Sequence, residues 1–183
     1  SMPIVLLGIG LESLIDRQFR NLWFIGSMLI IMGLVLGLAE RYGRKTSPIS
    51  DLTFTHAIAF GFAQACALVP GVSRSGATIS MGLFLGYERQ AATRYAFLLA
   101  IPAVVGAGIY KLKDIPGSEN AYGVMPTIVG TVVSFLVGLA VIHWLLKYVS
   151  SHSYAPFVIY RVILGSLVLI LLWAGVINPI VVA

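Results

Sequence analysis

Residues 64–80 read Gln-Ala-Cys-Ala-Leu-Val-Pro-Gly-Val-Ser-Arg-Ser-Gly-Ala-Thr-Ile-Ser. A guanidinium inside so apolar a run is costly unless it has a task. Pro70 removes a backbone donor and Gly71 follows it, so a helix is interrupted there. A helix that restarts after the break exposes unpaired N–H groups and the positive end of its dipole. Ser73 or Ser75 is placed to cap it, and Gly76 lets a ligand approach the backbone closely. Arg74 adds a planar fork of donors that matches phosphate or carboxylate. Thr78 falls on the same helical face as Arg74 and Ser75, four and three residues on. The guest that suits such a cup is a phosphate.

The residues alone leave a second reading open. Serine, threonine and glycine in membrane helices also serve simply to pack helices, and an arginine near a surface can snorkel. Gln64 either points into the same cavity or glues two helices. His56 suits an interfacial or loop role, and neither His143 nor His152 has ligand-like spacing to another His, Cys or carboxylate. No metal motif is present. Cys66, the one cysteine, excludes an internal disulfide and reads as a small packing residue. Hydrolysis needs a base or an activated nucleophile. No Asp or Glu lies between Leu52 and Tyr87. Ser73 and Ser75 are therefore better read as phosphate ligands than as nucleophiles.

The elements that must hold this stretch are membrane helices. The chain is 58% hydrophobic and 10% charged, with net charge +5. Soluble domains carry about a quarter charged residues, so lipid is the expected solvent. The basic residues are scattered rather than striped with aromatics, which argues against nucleic acid. The fold class expected is all-α, a polytopic membrane protein forming one integral membrane domain over 1–183. Spanning helices are expected at 21–39, 95–110, 121–146 and 158–177, preceded by a short apolar run at 3–11. Residues 54–87 form two apolar runs around the Pro-Gly break, each shorter than the roughly 20 residues a crossing needs. They predict a re-entrant helical hairpin, whose non-helical tip survives at membrane depth only when buried in protein or lining a wet cavity.

Arg41, Arg44 and Lys45 on one flank of the hairpin, and Arg89 and Arg94 on the other, put both its ends on the cytoplasmic side. Lys111 and Lys113 then fall outside, against the rule. Gly106 and Gly108 offer a close helix approach, and Tyr154, Tyr160 and Trp173 read as interfacial belt residues. Arg161 is read near the cytoplasmic end of the last span. Small-residue faces leave a homodimer open.

The pattern Pro70-Gly71-x-Ser73-Arg74-Ser75-x-x-Thr78 resembles the second signature of the undecaprenyl-diphosphate phosphatase family, the bacitracin-resistance type. Gln64-Ala65-Cys66-Ala67-Leu68 before it, the run from Phe97 to Pro102, and Pro156-Phe157-Val158-Ile159-Tyr160-Arg161 are similar as well. The likeness covers nearly the whole chain. It implies a hydrolase of the bacterial plasma membrane that converts undecaprenyl diphosphate to undecaprenyl phosphate and phosphate, recycling the lipid carrier of cell-wall synthesis. It implies two inverted repeats, each with a re-entrant hairpin, around a pocket open to the outer face. Arg74, Ser73 and Thr78 would be the catalytic contacts, and Ser75, Gly76, Gln64 and Gly71 would complete the substrate site. A divalent cation (Mg or Ca) is allowed by the chemistry. The family's first repeat carries a glutamate pair, a Pro-x-Ser-Ser stretch and a histidine that this sequence does not contain. The resemblance therefore implies a chain that begins late in the first repeat and needs that N-terminal half for activity. A transporter or lipid flippase with a midplane anion site is the alternative, because broken helices suit transport equally well. A scaffold whose hairpin only packs is the third reading.

Overall fold

The computed structural model describes residues 21–111 and 124–179. The apolar run 3–11 and the loop carrying Lys113 and Glu119 lie outside the described residues. The described chain is all helical: α1 (Leu22–Tyr42), α2 (Phe54–Ala65), α3 (Arg74–Phe84), α4 (Arg89–Lys111), α5 (Val124–Ser151) and α6 (Ala155–Trp173), with 3₁₀ turns at Ile49–Asp51 and Cys66–Leu68. Four of these helices, α1, α4, α5 and α6, are long and apolar enough to cross a membrane. This is a multi-pass membrane helical bundle. The remaining two, of 12 and 11 residues, rise only about 16–18 Å, well short of a bilayer core.

Local chemistry sets the helix starts. The Asn21 side chain accepts from Trp23 N–H at 2.9 Å, and Thr53 Oγ1 accepts from His56 N–H at 3.2 Å. Each satisfies one orphan donor of a first turn. Pro156 sits in the first turn of α6, where its missing N–H costs nothing. The fourth helix begins at Arg89, well before the apolar run from Tyr95, because Glu88 O already accepts from Ala92 N–H.

Bare backbone allows the tightest helix contact, the antiparallel crossing of α1 and α6. Gly26 lies against Gly165 and Leu169, Gly33 against Arg161 and Val162, and Gly37 against Val158. A β-carbon at Gly165 would lie 2.7 Å from Gly26 O. In lipid there is no hydrophobic drive between helices, so such small-residue contact supplies the packing. Among the described residues Gly106 and Gly108 of α4 play no such part, since a β-carbon on either would meet nothing within 4 Å. Helix α5 buries only Val149 and exposes large apolar side chains such as Met125, Phe135 and Trp144, a surface suited to lipid.

The loop after α1 and the turn between α3 and α4 are tied together. Thr46 and Ser47 N–H donate to Gly86 O at 2.9 and 3.0 Å, and Glu88 N–H donates to Ser47 O at 2.9 Å. His56 Nδ1 and the Tyr87 hydroxyl are 2.8 Å apart, and that hydroxyl donates to Asp51 O at 3.2 Å. The start of α2 and the end of α3 therefore meet at one end of the bundle, beside the basic residues Arg41, Arg44 and Lys45. Burial pushes the Tyr87 phenol above its ordinary range, helped by the nearby Asp51 carboxylate.

Candidate anion site at the helix break

The chain between α2 and α3 turns at Gly71, whose φ of 88° lies in the left-handed region that favours glycine. A β-carbon there would lie 2.7 Å from Ile25 O and 2.9 Å from Met28 Cβ. Both the turn and the contact with α1 thus require glycine. Ile25 and Met28 belong to the end of α1 remote from Arg41, about 20 Å along the helix. The break therefore lies toward the end of α1 opposite the basic residues. On the other side, Gly71 O accepts from Arg161 Nη2 of α6 at 2.8 Å.

Immediately after the break, Ser73 caps α3: its Oγ accepts from Gly76 N–H at 3.1 Å. Its hydroxyl also lies 3.2 Å from Ser75 Oγ. Of the two serines able to cap, Ser73 is the one used. One of the two hydroxyls donates to the other, which leaves one hydroxyl proton and the remaining first-turn amides for an acceptor. They face a cavity of about 190 Å³. Ser73, Ser75, Gly76 and Arg161 line it together with apolar groups including Leu36, Ile79, Phe97 and Phe157. A head group with an apolar chain attached is the ligand shape such a lining suits.

The residues singled out in the sequence take different places. Ser73, Ser75 and Gly76 line the cavity, and Gly71 forms the break above it. Arg74 is partly buried and does not line the cavity, and its guanidinium makes no hydrogen bond or ion pair among the described residues. Thr78 is fully buried, and its Oγ1 donates to Arg74 O at 2.8 Å and to Ser75 O at 3.1 Å. That hydroxyl is spent on the helix's own backbone. Gln64 is also fully buried away from the cavity, with neither amide atom hydrogen-bonded.

Two cavity residues stand out that the motif does not contain. Arg161, in the second turn of α6, lies beside Gly33, near the middle of α1. Its signal in the sequence was the same as that of Arg74, an arginine inside an apolar run. Tyr154 is no belt residue: it is 2% exposed, and its hydroxyl pairs with Thr93 Oγ1 and donates to Arg89 O at 3.2 Å. Burial pushes its phenol up to about 12. Arg89 in turn grips Glu40, with Nε at 3.0 and 3.2 Å from the two carboxylate oxygens. This network joins α1, α4 and the start of α6 behind the cavity. Among the described residues no group of three His, Cys, Asp or Glu side chains is disposed to seat a metal ion.

A model of the family described as bacitracin resistance protein BacA matches residues 1–167. An undecaprenyl-diphosphatase from a Nocardioides strain is 62% identical over 177 residues, 97% of this chain and 65% of that protein. One from Micrococcus luteus is 52% identical over 181 residues, with the same two coverages. An undecaprenyl-diphosphatase 2 from Agrobacterium fabrum is 52% identical over 178 residues, 97% of this chain and 64% of that protein. The chain thus spans just under two thirds of the length of these relatives. With the match running through the break, the capped first turn of α3 and most of α6, the chain belongs to the BacA family of bacitracin resistance proteins.

Proposed function

We propose that this protein hydrolyses undecaprenyl diphosphate to undecaprenyl phosphate and phosphate, and that this chain supplies the part of the site that grips the phosphates. The observation that carries the reading is the pairing of a donor-rich helix start with an apolar-walled cavity at the break between α2 and α3. The names of the relatives support the same substrate.

On this reading α2 and α3 form a re-entrant hairpin that enters and leaves the membrane on the cytoplasmic side. The hairpin belongs to one of two inverted repeats, and its tip lies in a pocket open to the outer face. Ser75 Oγ and the free first-turn amides of α3 bind phosphoryl oxygens, with Ser73 donating its hydroxyl proton while its lone pair holds the cap. Arg74, free of other partners, swings to the terminal phosphate and stabilises the charge that builds up as the P–O–P bond breaks. Water supplies the incoming oxygen, and the bridging oxygen leaves with undecaprenyl phosphate. Glu40 is engaged by Arg89, and the groups that activate this water are assigned to the first repeat.

Transport is the second reading, favoured by a broken helix with free donors at the break. The test is phosphate release from undecaprenyl diphosphate by the purified protein in detergent, beside substrate movement across liposomes. Hydrolysis predicts release that falls by roughly 100-fold or more in Arg74→Ala and that Arg74→Lys does not fully restore, since the bidentate fork is lost. Movement without release would establish transport instead.

A further inference from the structure

The family signature places one arginine at the helix break, but a second one reaches the cavity. Arg161 is the cation that lines it among the described residues. It is carried by α6, the partner of α1 in the glycine crossing, and its Cβ lies 3.2 Å from where a β-carbon on Gly33 would sit. That position is level with the middle of α1. A guanidinium stays charged and has five N–H donors to satisfy. Here Nη2 serves Gly71 O at 2.8 Å, while Nε is buried without a partner. Nη1 points across the start of α3, 3.7 Å from where a β-carbon on Gly76 would lie. No carboxylate pairs with Arg161 among the described residues. An intramembrane charge with one backbone acceptor is poorly compensated, and an anion seated over Ser73 and Gly76 would complete it.

We infer that Arg161 is a second phosphate-binding guanidinium, which clamps the break through Gly71 O with one nitrogen and presents another to the phosphate oxygens held by Ser73, Ser75 and Gly76. This rests on the phosphatase reading above and adds to it a residue from α6. The two tasks are linked, because the clamp fixes where the first-turn amides point and thus where Nη1 meets the anion. Bound phosphate joins α3 to α6, and its release as product removes the charge that holds them together.

The test is equilibrium binding of farnesyl diphosphate and of farnesol to the purified protein in detergent, for wild type, Arg161→Gln, Arg161→Lys and Arg74→Gln. Arg161→Gln is expected to weaken farnesyl diphosphate roughly 10- to 100-fold, as for loss of charge-assisted hydrogen bonds, and to leave farnesol unchanged. Lysine, a point charge with a different reach, should recover only part of that loss. Equal weakening of both ligands by Arg161→Gln would reduce Arg161 to a structural strut and overturn the inference. If Arg161→Gln binds as wild type while Arg74→Gln fails, the second guanidinium is refuted and the anion cup stands. If neither substitution matters, both readings fall together.

Discussion

Arg161 Nη2 donates to Gly71 O at 2.8 Å, joining two residues ninety positions apart in the chain. Through this bond a spanning helix holds the turn from which the donor-rich start of α3 departs. Gly71 is pressed from its other side by Ile25 and Met28 of α1. The break is thus set by two helices that pack on each other, and not by the short hairpin helices alone.

Gly71→Ala should lower the melting temperature of the protein in detergent. The left-handed φ of 88° and a contact of 2.7 Å with Ile25 O both penalise a β-carbon. Backbone strain alone is worth about 1–3 kcal/mol. Phosphate release should fall with it, because the carbonyl that Arg161 grips must shift. A melting temperature equal to wild type would show that the break is not packed as described.

Gly165→Ala and Gly106→Ala should part ways. At Gly165 a β-carbon would meet Gly26 O and Ile30 Cγ1, both at 2.7 Å, so the α1–α6 crossing must open and stability drop. At Gly106 it would meet nothing within 4 Å, and alanine, the better helix former, should leave the melting temperature unchanged or raise it. Thermal unfolding of the two variants side by side is the check, and equal effects would mean that the crossing does not organise the bundle.

The broken helix and the bundle of spanning helices were legible in the sequence because their causes are local. Pro70 and Gly71 stop a helix wherever they stand, Ser73 caps because its side chain reaches only its own first turn, and composition alone calls for lipid. The places where the reading changed depend on which helix meets which. Gly106 and Gly108 are as small as Gly26 and Gly165, but among the described residues it is the latter two that face a partner. Thr78 carries the right group at the right spacing, but a helical threonine can also return its proton to its own backbone, and here it does. Arg161 and Tyr154 reach the cavity from more than 70 positions beyond the motif, a distance over which spacing carries no information.

Tyr154 gives a pH signature outside the spans. Its phenol is raised by burial to about 12, above the ordinary 10.0 of an unfolded tyrosine. The fold therefore holds the proton more tightly than the unfolded chain does. Below pH 10 this contribution is fully present, and between about 10 and 12 it declines by up to about 1.4 kcal/mol per pH unit. Melting temperature against pH should fall more steeply for wild type than for Tyr154→Phe over that window. Parallel curves would show that the phenol is not buried.

The claim that the first turn of α3 grips phosphate is tested most directly at Ser75, which lines the cavity without capping the helix. The measurement is kcat/KM for phosphate release from undecaprenyl diphosphate by the purified protein and its Ser75→Ala variant. A fall of roughly tenfold or more with an unchanged melting temperature is predicted for loss of a hydrogen bond to a charged ligand. An unchanged kcat/KM would contradict the account.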